Sequence, residues 1–135
     1  MFYDELQMIL ELSWNYDTCS PELKSVYDNS NPSLGQCAVT ALIVNDCFGG
    51  KIMRTMTSTG SHYYNMVGGA IIDMTSNQFN SEIINYKNGE ERTREYLLTN
   101  DDTRNRYLLL SERVKNYFNE YYEKENIKCK IKKDF

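Results

Sequence analysis

The pattern of apolar positions has its strongest feature in residues 37–48, a run of twelve mostly apolar residues. The run begins at Cys37 and stops before Gly49-Gly50, and glycine commonly follows the last residue of a helix. A buried strand would also suit it, since periodicity does not separate the two structures in a continuous apolar run. Its length and its poor strand formers, such as Ala38 and Ala41, favour a helix. We therefore predict a buried helix that starts at Cys37.

Apolar residues recur at helical spacing near both ends of the chain, in residues 2–14 and in residues 101–124. Both segments therefore predict amphipathic helices. The second has a face of large apolar and aromatic side chains, made up of Tyr107, Leu110, Val114, Tyr117, Phe118 and Tyr121. Such a face predicts packing on the core or a homodimer surface. The basic tail, residues 128–135, is predicted to be frayed.

Strands are predicted between these helices. Residues 51–57 alternate between polar and apolar side chains, and Gly68-Gly69 predicts a two-residue hairpin turn between strands at 62–67 and 70–74. Another strand is predicted around residues 83–86. The combined pattern predicts an α+β fold, with a central helix packed on a small antiparallel sheet and a long C-terminal helix.

Length and charge narrow the class of protein. The 135 residues predict a single domain, 1–135, with a core at about 14–98 and a C-terminal helix at about 101–124. A net charge of −4 argues against a nucleic-acid partner. No apolar run approaches the ~18 residues of a membrane span, and the first residues lack the basic region of a signal peptide. We therefore expect no membrane partner and a cytoplasmic protein, with its cysteines reduced.

The hairpin register brings the only histidine close to a carboxylate. If Val67 lies opposite Ala70, then Tyr64 lies opposite Asp73, and His62 is on the same face of the sheet as both. His62 and Asp73 would then be diagonal neighbours, about 7–8 Å apart at the backbone. A three-residue loop would turn one strand over and separate them.

A cysteine at a helix start, a histidine and an aspartate are the parts of a nucleophilic site. The free N–H groups of a helix N-terminus favour the thiolate form of cysteine. We predict Cys37 as the nucleophile, His62 as the general base and acid, and Asp73 as the group that orients the histidine ring. The backbone N–H of Cys37 is a candidate to stabilise an oxyanion.

Three further residues are predicted to support the site. Gln36 directly precedes the nucleophile, and its side-chain N–H is a second candidate oxyanion donor. Asn31 lies in the loop before it, and Tyr64 shares the sheet face of the histidine. Gln36 and Asn31 also have an ordinary alternative as loop hydrogen-bonding residues.

Several motifs resemble a known family in the same order along the chain. Residues 35–42 (GQCAVTAL), 48–50 (FGG), 61–65 (SHYYN) and 73–79 (DMTSNQF) resemble the YunG-like family of small bacterial proteins. More distantly, the order Cys, His, Asp and the sequence Asp73-Met74-Thr75 resemble the transglutaminase-like branch of papain-type enzymes. That second resemblance implies a papain/transglutaminase-like core, in which the cysteine opens a helix and the histidine and aspartate lie on neighbouring strands.

These observations predict a cysteine-dependent hydrolase or acyltransferase. Its substrate would be a peptide or other acyl compound with an amide, isopeptide or thioester bond, and no cofactor or metal is expected. The alternative is a non-catalytic binding or regulatory protein on the same fold. In that case Cys37 would be a buried, inert thiol and Asp73 a cap of the turn that follows it. A metal at Cys37, His62 and Asp73 lacks the usual ligand spacing.

Overall fold

The computed structural model describes residues 1–79 and 82–133, with side chains up to residue 125. The helices are α1 (Tyr3–Ser13), α2 (Cys37–Phe48), α3 (Arg94–Leu98) and α4 (Asp101–Lys133). The strands are β1 (Lys51–Thr57), β2 (Gly60–Val67), β3 (Ala70–Ile72) and β4 (Glu90–Arg92). Short 3-10 helices lie in the connections at Tyr16–Thr18, Pro21–Val26, Ser76–Gln78 and Tyr86–Asn88. The predicted α+β class is confirmed.

The strands form one antiparallel sheet in the described part of the chain, in the order β3-β2-β1-β4. Gly68 and Gly69, both with positive φ, form the turn between β2 and β3. Val67 pairs with Ala70, and two residues further from the turn Asn65 pairs with Ile72. The predicted hairpin register is therefore confirmed.

Helix α2 lies at the centre of the molecule, and its residues 39–44 are all buried. One apolar cluster joins α2 to α1 and α4, through residues that include Leu10, Val39 and Leu110. A second cluster joins Leu42 of α2 to Ile52 of β1 and to α3. Each fully buried side chain of this size contributes about 1.5–3 kcal/mol. Because α2 is covered on both sides, its apolar run needs no polar face.

The aromatic face of α4 packs largely on this core. Leu110 and Val114 are buried, and three neighbouring side chains of that face pack against them while half-buried: Tyr107, Tyr117 and Phe118. Among the described residues, no helix has the length and apolar character needed to cross a membrane.

The strand predicted at residues 83–86 is wrong. Ile83 is 93% exposed, and Tyr86 begins a 3-10 helix. The Asn85 side chain accepts a hydrogen bond from the N–H of Lys87, and the Asn85 carbonyl accepts one from the Thr55 hydroxyl of β1. These bonds favour a turn docked on the sheet edge over an extended strand. The strand that pairs with β1 comes later, at β4.

Helix α4 is longer than predicted. It continues from residue 124 to Lys133, and so includes most of the basic tail that we expected to be frayed. Residues 134–135 lie outside the described ranges. No glycine or proline occurs after Gly89, and lysine and glutamate, both good helix formers, are frequent after residue 110. The segment therefore has no sequence signal that would end the helix.

Candidate functional site

Cys37 is the first residue of α2, and the loop before it sets its position. Gly35 has φ +73°, a left-handed conformation that suits glycine, and Gln36 is the N-cap residue. The first helical hydrogen bond runs from the N–H of Thr40 to the carbonyl of Gln36. Within the described residues, no acceptor bonds to the backbone N–H of Cys37. This donor is therefore free beside the thiol, as expected for the first turn of a helix.

His62 lies fully buried on β2, between a carboxylate and a thiol. Its Nε2 is 2.7 Å from Oδ2 of Asp73, so the diagonal pair predicted from the hairpin register is confirmed. The thiol of Cys37 also interacts electrostatically with the ring. Because Asp73 occupies Nε2, Nδ1 is the nitrogen left to exchange a proton with sulfur. The three predicted catalytic side chains therefore lie together.

The surroundings of His62 favour its protonated form. Burial lowers the pKa of the ring, but the interactions with Asp73 and Cys37 outweigh it and raise the pKa to about 9. The imidazolium is therefore stabilised next to a thiol. A ring in this position is placed to accept the proton of a cysteine.

We expect the stability of the protein to depend on pH through this ring. Since the folded state binds the His62 proton more tightly than the unfolded chain, the stabilisation is complete below the ordinary pKa of 6.5 and is lost as the pH rises through about 9. Urea unfolding between these pH values should show a fall of about 2 kcal/mol in the free energy of unfolding. In the variant His62→Gln, the free energy of unfolding should change less over the same pH range. Equal profiles for the two proteins would contradict this prediction.

Three donors hold the carboxylate of Asp73, which is nearly buried. Oδ2 accepts hydrogen bonds from His62 and from the hydroxyl of Tyr86, each at 2.7 Å, and Oδ1 accepts from the N–H of Thr75 at 3.3 Å. Asp73 therefore orients the ring and also holds the turn that follows it, so the two roles considered for it coexist. Burial and the bond to Asp73 raise the pKa of Tyr86, which keeps its hydroxyl a donor. Tyr86 has no local sequence signal, because it comes from a distant connection.

Gln36, the expected side-chain oxyanion donor, is directed elsewhere. It is fully buried, and its Nε2 donates to the carbonyl of Asn15 at 3.0 Å. Its Oε1 has no hydrogen-bond partner among the described residues. The side chain ties the loop before α2 to the segment after α1, and it is absent from the lining of the cleft described below.

Asn31 and Tyr64 lie near the site but contact it indirectly. Asn31 donates from Nδ2 to the backbone carbonyl of Gln78 at 3.5 Å, so it holds the segment that follows Asp73. The ring of Tyr64 stacks 6.3 Å from the ring of His62, while its hydroxyl donates to the backbone carbonyl of Tyr86. Both residues thus support neighbours of the histidine.

Gln78 is a site residue that we did not identify from the sequence. Its Oε1 accepts a hydrogen bond from the backbone N–H of Gly35 at 3.2 Å. Its Nε2 lies 3.2 Å from the Thr75 hydroxyl and 3.3 Å from Nδ1 of His62. The next residue, Phe79, meets the histidine ring edge-on at 4.8 Å. The 3-10 helix Ser76–Gln78 follows Asp73 and returns residues 78 and 79 towards the strand.

Cys37 and Gln78 line an open cleft of about 520 Å³. Its walls are the 3-10 helix Pro21–Val26, the turn between β1 and β2, and the start of α4. A neighbouring cavity of about 390 Å³ shares lining residues with the cleft and extends it, namely Ala38, Tyr63, Asn100 and Thr103. The site thus has room for a substrate beside the thiol and in the neighbouring cavity.

The charged groups of the cleft are two carboxylates, Glu22 and Asp102, and one guanidinium, Arg106. Arg106 is buried and already bound, to Asp102 at 2.7 Å and to the carbonyl of Thr18 at 3.1 Å. Within the described ranges, no three His, Cys, Asp or Glu side chains cluster as metal ligands would.

The fold and the site together define a small α+β protein with a cysteine, a histidine and an aspartate close together beside a cleft. The chain matches the YunG protein family over residues 3–119. It is also 35% identical over 99 residues to a protein of Bacillus subtilis (strain 168) titled "Uncharacterized protein YunG", and the match covers 73% of this chain and 82% of that protein. The chain therefore belongs to the YunG family, as its motifs indicated.

No solved structure matches the chain at a significant level. The comparisons give no support to the more distant resemblance to transglutaminase-like enzymes.

Proposed function

We propose that the protein is a cysteine-dependent hydrolase or acyltransferase that acts on an amide, isopeptide or thioester bond. The observation that carries the proposal is the position of His62, which is hydrogen-bonded to Asp73 and interacts with the thiol of Cys37. A histidine with these two partners can remove the thiol proton and hold it. The open cleft beside Cys37 provides the space that a substrate needs.

The residues suggest a two-stage reaction. The proton of Cys37 moves to Nδ1 of His62, and the thiolate attacks the carbonyl carbon of the substrate. As the tetrahedral oxyanion collapses, the bond to the leaving amine or thiol breaks, and His62 returns the proton to that group. Water or an amine then attacks the thioester, with His62 as the base, and Cys37 is released.

The order of elements supports a papain-like core as part of the proposal. The cysteine opens a helix, the histidine lies on β2 of the sheet, and Asp73 directly follows β3, the neighbouring strand. The reaction also requires a reduced thiol, which the cytoplasm maintains, so we propose that compartment.

The proposal is tested by the reaction of the full-length protein with excess p-nitrophenyl acetate. We expect a burst of p-nitrophenolate equal in moles to the protein, and a mass increase of one acetyl group on the peptide that contains Cys37. Cys37→Ala should abolish the burst. Cys47→Ala should leave it unchanged, because Cys47 is an exposed thiol with a raised pKa, caused by partial desolvation and the neighbouring Asp46.

Acetylation that is slow, or that is found on Cys47 instead, would contradict a catalytic role for Cys37. That result would favour the non-catalytic binding protein as the function of this fold.

A further inference from the structure

We propose that the side-chain amide of Gln78 is a catalytic oxyanion donor, which acts together with the backbone N–H of Cys37. This inference rests on the proposed function and deepens it. The amide of Gln78 would donate a hydrogen bond to the substrate oxygen while that oxygen carries negative charge. Gln36 cannot be the second oxyanion donor, because its Nε2 donates to the carbonyl of Asn15 and its side chain does not line the cleft.

The orientation of the Gln78 amide is set by the loop that leads to the nucleophile. Its Oε1 accepts from the N–H of Gly35, two residues before Cys37, so Nε2 must face the other way, towards His62. One N–H of the amide bonds to the Thr75 hydroxyl, and the other points to Nδ1 of His62. Gln78 is nearly buried but still reaches the cleft.

The second N–H of Gln78 is released by the chemistry itself. In the neutral ring, Nδ1 is an acceptor and can take a hydrogen bond from the amide. When Nδ1 receives the proton of Cys37, it becomes a donor, and two donors cannot bond to each other. The N–H is therefore freed next to Nδ1, the atom that has taken the proton of Cys37, in the step that creates the thiolate.

The freed donor matches the requirement of the following step. The substrate carbonyl carbon is attacked by the sulfur of Cys37, so its oxygen must lie within a few ångströms of that atom. The backbone N–H of Cys37, without an acceptor among the described residues, is already there. Two donors from different segments are typical of an oxyanion hole.

The test compares two reactions of the same thiol. Acetylation by p-nitrophenyl acetate passes through an oxyanion, whereas alkylation by iodoacetamide displaces iodide at a saturated carbon and forms none. We expect Gln78→Ala to lower the rate of Cys37 acetylation by about 10- to 100-fold, and to change the rate of alkylation by less than about twofold. Gln78→Met keeps the length of the side chain without adding a charge and lacks the N–H, and it should show the same separation.

Equal losses in both reactions would overturn the inference, because they would show that Gln78 acts by positioning His62. Unchanged acetylation in both variants would overturn it as well. Thermal unfolding shows whether each Gln78 variant is folded. If one variant is unfolded, the rates of the other variant test the inference. If the native protein is acetylated at Cys37 but the Gln78 variants contradict the oxyanion role, the proposed function still stands. If the native protein is not acetylated, both the proposed function and the role of Gln78 are rejected.

Discussion

Replacing His62 by alanine should lower the rate of Cys37 acetylation at neutral pH by about 10²- to 10⁴-fold, the usual contribution of a positioned general base. The ring is the basic group that interacts with the thiol, and its raised pKa favours the protonated ring. Without it, the thiol must ionise unaided. The rate is measured from the p-nitrophenolate burst. The rate of Cys37 alkylation by iodoacetamide at neutral pH should fall as well.

Two controls accompany this measurement. Tyr86→Phe removes a donor from Asp73 but leaves the pair of His62 and Asp73, so we expect only a few-fold loss of acetylation. Cys47, which is exposed on α2, should alkylate at the same rate in the native protein and in His62→Ala. Rates of Cys37 acetylation and alkylation that do not change in His62→Ala would show that the ring does not activate the thiol.

Replacing Gly35 by alanine should destabilise the protein by about 2–4 kcal/mol, which combines a left-handed backbone cost with overpacking. Gly35 has φ +73°, and an added Cβ would lie 2.5 Å from Sγ of Cys19. Cys19 is fully buried, so its sulfur has little room to move. The free energy of unfolding is measured by urea titration. We also expect slower acetylation, because the N–H of Gly35 holds the amide of Gln78.

Gly68→Ala is the matched control for this substitution. Gly68 also has a positive φ, +57°, but an added Cβ there would meet no atom within 4 Å. Gly68→Ala should therefore lower the free energy of unfolding only through the left-handed backbone, by about 1–2 kcal/mol. Adding Cys19→Ala to Gly35→Ala should recover part of the steric loss. Equal costs for the two glycine variants would contradict the clash with Cys19.

The elements that could be predicted are those with a local cause. Helix α2 was predicted from a continuous apolar run that ends at Gly49, and both of its bounds are confirmed. The hairpin was predicted from Gly68-Gly69, because a two-residue turn leaves one register. The contact of His62 with Asp73 followed from that register, since side chains on adjacent strands meet on one face.

The elements that were missed depend on neighbours distant in the chain. Strand β4 has three residues and no hydrophobic alternation, and it exists because β1 offers it an edge. The turn at Tyr86–Asn88 docks on β1 through Asn85, which outweighs the strand tendency of Ile83 and Ile84. Gln36 was predicted to be an oxyanion donor because it precedes Cys37 in the sequence. In the structure its amide instead bonds to the carbonyl of Asn15 and holds the loop before α2.

By itself, the sequence determined that Cys37 starts a buried helix and that His62 faces Asp73, because helix ends and hairpin registers depend on residues close together in the chain. Only the tertiary structure decided that His62 also meets Cys37, and that Tyr86 and Gln78 complete the surroundings of the triad. These contacts join a helix, a strand and two connections whose relative positions follow from the packing of α2 on the sheet. No local pattern carries that information, because it arises from burial shared among distant segments.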